Sequence, residues 1–561
     1  MEKIKPSDEP NQPPPGDPNQ PSPGDPNEPP REHIHFARGQ FGLVVRHRSN
    51  IAAREIIRRL QASGLFRIPP DANVRQKSNG RASILAGDDQ PVAYFSPERV
   101  TTFDPSRFDT PAEGNPRAFS LVFADVPALR DETLLLAYLT QLYPKISEQF
   151  KDKAADFFVE PAATPNWLSC ASGETDGSGG PGGRPVPPRG ALEEGFQREQ
   201  GALPDKLDIK KPHGQRGEAV HVFILDTAPC EVDLRRAFRK WVTGAPRNGN
   251  RPNPQLAALI GPNGALRDSL GRLQIDYAGH SHLLEGVNAF LPDHDYVMSD
   301  HGLFVASIIN ALAPAAKLHL IEVLNPYGVG TLESIARGFA RAADFILKNP
   351  GATVVVNASL FLGVVQKDQA AIDELAKIDP FWARFKEGDI DGLVAPLREV
   401  CAFIHTHVGR VAAAAGNDGR IRTNGDGQVE DFHPAARFPA AYENVVGVAA
   451  LNLDDSIAIY TNLADLQGDE GIATFGGDKI GEDSDPEKGV LGVYIGSFPD
   501  GTPNRFGLAR WSGTSFATPR VTAAFVALMS DGVSQRDAFK RIRDIPVVGE
   551  PRVGGEVLPQ K

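Results

Sequence analysis

The chain has 561 residues, a length that predicts two or three domains rather than a single core. Its net charge of -12 does not favour binding to a nucleic-acid backbone, which depends on clustered Lys and Arg. The three cysteines lack metal-ligand spacing, so neither a disulfide framework nor a cysteine zinc site is indicated. We expect no nucleic-acid partner and no cofactor, and we predict no metal, although a structural calcium site stays open.

The N-terminal tail, residues 1–35, carries a proline-rich repeat. Its segments “EPNQPPPG”, “DPNQPSPG” and “DPNEPP” contain too much Pro for a helix or a central strand, which predicts a disordered, extended tail. Such a tail is either a ligand for an aromatic groove or a plain spacer, and composition favours the spacer. With no apolar signal segment visible, we expect a cytoplasmic protein without a membrane partner, and secretion stays open.

Residues 36–160 change to strand and helix patterns. The segments “FGLVVRH”, “AFSLVFADV” and “ADFFVEP” predict strands, whereas “NIAAREIIRRLQASG” and “DETLLLAYLTQLYPKISEQF” predict helices. Helices that alternate with strands in this way predict a small α+β domain that can fold alone. The Gly- and Pro-punctuated stretch 161–216 predicts a linker after this domain.

The part of the chain from 217 to 550 predicts a parallel sheet. Continuous apolar stretches such as “AVHVFILD”, “KLHLIEVL”, “ATVVVNASL” and “NVVGVAAL” alternate there with helical patterns. Strands without polar alternation are buried on both faces, which is typical of a parallel sheet sandwiched by helices. We therefore predict an α/β domain over 217–550, followed by a C-terminal tail over 551–561.

Three short stretches supply an acid, a base and a hydroxyl: “FILDTAP” with Asp226, “SDHGLFVASII” with His301 and “SGTSFATP” with Ser515. A serine hydroxyl is a weak nucleophile, so acyl transfer needs an imidazole that accepts its proton and a carboxylate that orients the imidazole. Taken alone, each residue has a commoner structural role as a turn, a structural histidine or a helix cap. Asp300, beside His301, is a further candidate for the orienting acid.

A fourth stretch, “VAAAAGNDG”, ends an apolar strand at Asn417. A side-chain amide at this position could donate a hydrogen bond to an oxyanion, although Gly-Asn-Asp-Gly is also a common loop sequence. The helix that is predicted to begin near Ser515 would add backbone N–H groups and a dipole that favour the same negative charge. The occurrence of all four stretches in one chain favours the catalytic interpretation over the structural one.

In the order Asp, His, Asn and Ser, these stretches resemble the subtilase (subtilisin-like) family of serine peptidases over about 217–545, and “GTSFATP” is the most specific element. The resemblance implies a subtilisin-like fold, a triad of Asp226, His301 and Ser515, an oxyanion donor at Asn417, and no metal. It also implies that “VVVNASL” forms a substrate-binding edge. The substrate-binding residues implied in this way are Ser359 and Leu360, with Ala414, Ala415 and Gly416 on the facing side.

The N-terminal α+β unit also resembles the propeptides of this family, which are small domains that end near the active site. The segment “FFVEPAATPNW” is similar to the end of a propeptide, and a loose linker after it would allow cleavage. The resemblance implies that this domain acts as an intramolecular inhibitor or chaperone.

Four residues depart from the usual family motifs: Ala228, Leu303, Phe304 and Phe361. Phe304 and Phe361 are bulky, so we expect them to narrow the cleft or change what it accepts. The predicted function is a serine endopeptidase that hydrolyses peptide bonds in proteins or peptides through an acyl-enzyme. The alternatives are a catalytically silent subtilase fold that binds extended peptides, and an esterase or peptide ligase.

Overall fold

A computed structural model gives the fold of the chain. The residues that it describes are 35–66, 91–108, 117–152, 155–161, 163–171, 184–188, 203, 207–244, 252–260, 272–277, 297–364, 369, 372–373, 376, 381–423, 429–464, 471–478, 488–544 and 556–558. The proline-rich repeat predicted as a tail and most of the predicted linker lie outside these residues.

The helices are α1 (Ala53–Ala62), α2 (Glu132–Gln149), α3 (Glu231–Trp241), α4 (Pro254–Ile260), α5 (His301–Leu312), α6 (Leu332–Lys348), α7 (Glu387–His407), α8 (Thr514–Ser530) and α9 (Gln535–Arg543). The strands of the first half are β1 (Phe36–His47), β2 (Tyr94–Phe103), β3 (Ala118–Asp125), β4 (Phe157–Val159), β5 (Thr164–Cys170), β6 (Val220–Asp226) and β7 (Leu273–Asp276). Those of the second half are β8 (Lys317–Glu322), β9 (Val329–Thr331), β10 (Thr353–Ala358), β11 (Phe361–Leu362), β12 (Gly409–Ala414), β13 (Arg420–Thr423), β14 (Val429–Phe432), β15 (Val445–Leu451), β16 (Gly471–Phe475), β17 (Val490–Val493), β18 (Leu508–Trp511) and β19 (Glu556–Leu558).

Eight of the described strands form a parallel sheet in the order β19-β16-β15-β12-β10-β6-β8-β7. Helices cover both faces, as neighbouring positions on β6 show. A Cβ added to Gly302 of α5 would touch Asp226, whereas one added to Gly338 of α6 would touch Leu225. Successive strand residues point to opposite faces, so α5 and α6 lie on opposite sides of the sheet. The prediction of an α/β fold with a helix-covered parallel sheet is confirmed at this level.

A second, antiparallel sheet is built mainly from the N-terminal part of the chain. Its strand order is β11-β5-β1-β3-β2, with β4 paired to β1 and β9 paired to β5. The predicted helices and strands of residues 36–160 are present as α1, α2, β1, β3 and β4, whereas β2 was missed. Strands β9 and β11 come from the part of the chain that also supplies the parallel sheet, so the two predicted domains share this second sheet.

Two segments differ from the predicted connections. Residues Thr164–Cys170, which fall in the predicted linker 161–216, form the fully buried strand β5, and β19 pairs with β16 inside the predicted C-terminal tail. Ile34–Lys561 form one compact unit. The pairing partners of β5 lie far away in the chain, so no local sequence pattern predicts the strand. The bounds of the five predicted segments themselves stay a prediction.

Candidate active site

Asp226 and His301 meet at the carboxyl edge of the parallel sheet. Asp226 is the last residue of β6 and His301 is the first of α5. His301 Nδ1 lies 2.8 Å from Asp226 Oδ1, and both side chains are fully buried. A carboxylate in this position accepts the Nδ1 proton, which leaves the lone pair of Nε2 on the opposite side of the ring.

Thr227 fixes the approach of α5 to β6. Its hydroxyl donates to the carbonyl of Met298 at 2.9 Å and accepts from the Gly302 amide at 3.2 Å. A Cβ at Gly302 would come within 2.2 Å of the Thr227 carbonyl oxygen, so only glycine permits this contact. The sequence motif “HG” therefore serves the close packing that places His301 beside Asp226.

Asp300 is not at the imidazole in this structure. Its Oδ2 accepts hydrogen bonds from the amides of Ile495, at 2.8 Å, and of Gly496. Burial raises the pKa of the Asp300 carboxyl to about 6, although the two amide donors oppose that shift. The residue ties the loop after β17 to the start of α5, and Asp226 alone of the two candidate acids contacts His301.

Aromatic rings pack against the imidazole. The Trp511 ring lies edge-on to His301 with centroids 5.4 Å apart, and the Phe516 ring lies at 5.2 Å. Phe304 packs behind them, at 5.8 Å from Trp511 and 4.7 Å from Phe516, and is fully buried. The expectation that Phe304 narrows the cleft is therefore wrong, because its side chain belongs to the core beneath the site.

Ser515 is the second residue of α8. Its hydroxyl donates to the carbonyls of Ser359, at 3.2 Å, and Ala171, at 3.3 Å. In the described part of the chain, His301 Nε2 is buried without a hydrogen-bond partner. The structure thus joins the acid to the base, whereas the hydroxyl of Ser515 points to two backbone carbonyls.

Asn417 follows β12 and faces the start of α8. Its Oδ1 accepts hydrogen bonds from the amide of Thr514 at 2.9 Å and from the hydroxyl of Thr514 at 3.0 Å. Its Nδ2 is buried and has no partner among the described residues. A buried donor without an acceptor costs about 1–3 kcal/mol, so this geometry suits a site whose acceptor arrives with a ligand.

The five residues implied as substrate-binding lie around Ser515 and Asn417. Ser359 Oγ donates to the Ser515 carbonyl at 2.8 Å, and Leu360 is buried beside it. Ala414 ends β12, and the Ala415 backbone bonds to Val448 and Arg437 within the fold. Gly416 has a φ of +117°, and its amide donates a hydrogen bond to the Thr514 hydroxyl at 3.3 Å.

Strand β5 lies beside Ser515, a feature that sequence reasoning missed. The strand pairs with β9 on one side and with β11 on the other. The pairing extends past the strand ends. The Ala171 amide, which follows β5, donates to the Gly328 carbonyl at 3.0 Å, and the Gly363 amide, which follows β11, donates to the Leu168 carbonyl at 2.8 Å. An extended segment of this chain therefore occupies the groove between β9 and β11.

Phe361 is the one bulky departure that borders this groove. It is the residue of β11 opposite Cys170, it is 1% exposed, and the guanidinium of Arg437 lies 5.1 Å from its ring centroid. Arg437 in turn bonds to Asp418, the residue after Asn417. Phe361 thus links the groove to the segment that carries Asn417.

The described residues include no group of three or more His, Cys, Asp and Glu side chains that could hold a metal ion. Within the same residues, no helix is long and apolar enough to span a membrane.

Part of the chain is similar in sequence to known proteases. Residues 292–540 match the model of the subtilase family. The minor extracellular protease Epr of Bacillus subtilis is 26% identical over 237 residues, which are 41% of this chain and 26% of that protein, so the match spans about a quarter of that relative. Among solved structures, a lanthipeptide protease is 17% identical with a TM-score of 0.38, covering 67% of this chain and 97% of that one. A mutant of the protease domain of PatA is 18% identical with a TM-score of 0.35, covering 62% and 95%. The resemblance that the motifs indicated is confirmed at this level: residues 292–540 of this chain match the subtilase family.

Proposed function

We propose that the protein is a serine endopeptidase that hydrolyses peptide bonds through an acyl-enzyme. The observation that carries the proposal is the fully buried contact of His301 Nδ1 with Asp226 Oδ1, at 2.8 Å, beside the start of α8, whose Phe516 follows Ser515 and packs on the imidazole. In this proposal Ser515 attacks the peptide carbonyl, His301 takes its proton and returns it to the leaving amine, and Asp226 stabilises the imidazolium.

The buried location of the pair explains why the carboxylate is needed. His301 begins α5, where the helix dipole disfavours a positive charge, and no water-exposed face of the ring remains. A charged imidazole at this place therefore depends on Asp226 for its counter-charge. The first step also requires the Ser515 hydroxyl to turn from its two carbonyl acceptors toward Nε2 of His301, a contact that commonly tightens only when substrate is bound.

The oxyanion of the tetrahedral intermediate would be held by Asn417 and by the start of α8. The Asn417 Oδ1 is occupied by Thr514, so the amide cannot turn over without losing two hydrogen bonds, and Nδ2 is the group left to donate. The Ser515 amide lies in the first turn of α8, where N–H groups lack intrahelical partners. Donors held in place before the reaction stabilise the developing charge without reorganisation.

We further propose that the N-terminal sheet acts as an intramolecular inhibitor and presents the first substrate. Strand β5 fills the groove beside Ser515, and a buried ion pair between Arg99 of β2 and Glu333 of α6, at 2.5 Å, helps to hold the sheet there. The Ala171 carbonyl lies near Ser515 but does not reach Asn417 Nδ2. The carbonyl to be attacked is therefore either that of Ala171, after a shift toward Asn417, or one that comes later in the chain. Cleavage is expected directly after Ala171 or within the next few residues.

An active-site probe tests the proposal. A fluorophosphonate should label Ser515 of the wild type, should not label Ser515→Ala, and should label His301→Ala far more slowly, because the hydroxyl then lacks its base. Hydrolysis of a peptide amide as well as the matching ester would support the peptidase over an esterase. A folded wild type that takes up no label and cleaves no peptide would instead be a silent, peptide-binding member of the fold.

A further inference from the structure

We infer that the cleft selects peptide substrates with small side chains at two alternate positions, those held in this chain by Ser169 and Ala171. The inference rests on the proposed function, since it treats the segment in the groove as a guide to what the groove accepts. It adds the substrate class: chains that carry Ala, Ser or Gly at both positions shortly before the cleaved bond.

The backbone holds this segment in the way that an incoming peptide would be held. Ser169 lies opposite Gly330 of β9 and Leu362 of β11, and Ala171 bonds to Gly328. Main-chain hydrogen bonds on both sides do not depend on side-chain identity, so any extended peptide can make them. Selectivity must then come from the spaces that the side chains enter.

The space at Ser169 is closed by Gly330 and Leu324. A Cβ placed on Gly330 would lie 2.8 Å from Ser169 Oγ and 2.8 Å from Leu324 Cδ2. Ser169 is fully buried, and its hydroxyl has no hydrogen-bond partner among the described residues. The space therefore takes a side chain of one or two heavy atoms and offers no compensation for a polar one. Alanine should fit at least as well as serine.

The space at Ala171 is closed by Met298. A Cβ placed on Gly328 would lie 3.5 Å from Ala171 Cβ and 3.3 Å from Met298 Sδ. Ala171 is fully buried and Met298 is 1% exposed, so a longer side chain at this position meets the thioether instead of solvent. Met298 also donates and accepts backbone hydrogen bonds near His301, which keeps this wall in place.

The other face of the segment is more permissive. Leu168 points away from the face shared by Ser169 and Ala171, because strand side chains alternate, and it is fully buried although it is large. The predicted selectivity is thus positional and not a general preference for small residues. Overfilling a tight apolar space should lower the rate of cleavage about 10- to 100-fold.

The first test uses the full chain. Ala171→Phe should slow self-cleavage about 10- to 100-fold, whereas Leu168→Met, a control on the permissive face, should cleave near the wild-type rate. Met298→Ala combined with Ala171→Phe should recover about tenfold, because it removes the wall that the new ring meets. Wild-type cleavage by a folded Ala171→Phe, or no recovery in the double variant, would overturn the inference.

A second test does not depend on the folding of those variants. Self-processed wild type is given fluorogenic peptides that carry “PNWLSCAS”, with the position of Ala171 varied through Ala, Val, Leu and Phe and that of Ser169 through Ser, Ala and Leu. We expect kcat/KM to fall as the side chain at either position grows. At the position of Ser169, the peptide with Ala should be cleaved at least as well as the peptide with Ser. Turnover without this order refutes the selectivity alone, whereas no turnover and no fluorophosphonate labelling refute the proposed function and the selectivity with it.

Discussion

Replacement of the Asn417 amide tests the proposed oxyanion site. Asn417→Ala removes the buried Nδ2 donor together with the acceptor of two Thr514 hydrogen bonds. Loss of one oxyanion donor, for which a subtilisin is the reference case, lowers kcat by about 100- to 1,000-fold, or about 2.7–4 kcal/mol. We expect a decrease in kcat of this size with little change in KM, because the ground-state carbonyl gains little from the donor.

Thr514→Val separates the role of the donor from that of its support. The substitution removes the 3.0 Å hydroxyl bond to Asn417 and the 3.3 Å acceptor of the Gly416 amide, and it keeps the 2.9 Å bond from the Thr514 amide. The Asn417 side chain thus loses about 1 kcal/mol of restraint, and kcat should fall about fivefold. Thr514→Ser keeps the hydroxyl and is the matched control. Steady-state kinetics on one peptide, with urea unfolding of every variant, gives the comparison. A decrease of less than about fivefold for a stable Asn417→Ala would refute this assignment of Asn417.

Three further predictions concern buried ionisable groups. Burial raises the Asp300 pKa from 3.8 to about 6, so the folded state binds this proton more tightly than the unfolded state does. The free energy of unfolding should therefore fall by about 3 kcal/mol as the pH rises through this interval, and urea unfolding of Asp300→Asn should lack that decrease. Burial lowers the His319 pKa from 6.5 to about 4, with the charges of His221 and Lys317 as smaller causes. The free energy of unfolding should therefore fall as the pH falls through that range. His319→Phe keeps the stacking on Phe223 and should remove this decrease. Glu333→Gln leaves Arg99 buried with Asp125 as its remaining carboxylate partner, which should lower the free energy of unfolding by about 3 kcal/mol. The cleaved N-terminal part should then dissociate sooner and elute as a separate peak on size exclusion. Glu55→Gln, at an exposed ion pair, should change neither property. An unchanged Glu333→Gln protein would contradict the role given to this ion pair.

The residues that the sequence identified best are those whose roles follow from local patterns. Asp226 ends an apolar strand and His301 begins an apolar helix, and the carboxyl edge of a parallel sheet brings such ends together. The choice between Asp226 and Asp300 required the structure, because both acids are close to His301, one in space and the other in sequence.

The groove segment could not be predicted in this way. Strand β5 is stabilised by β9 and β11, which follow it by roughly 160–190 residues in the chain, and pairing across such distances leaves no local periodicity. Phe304 shows the opposite difficulty. Its place in a catalytic motif suggested a role in the cleft, yet α5 is buried around almost its whole circumference, so a motif position says little about which way a side chain points.

The most direct test of the account compares the intact mass and the N-terminal sequence of the purified wild type with those of Ser515→Ala. The account predicts that the wild type is cut directly after Ala171 or within the next few residues, and that Ser515→Ala stays full length. A cut at the same place in Ser515→Ala, or a folded wild type that stays uncut and unlabelled by a fluorophosphonate, would contradict it.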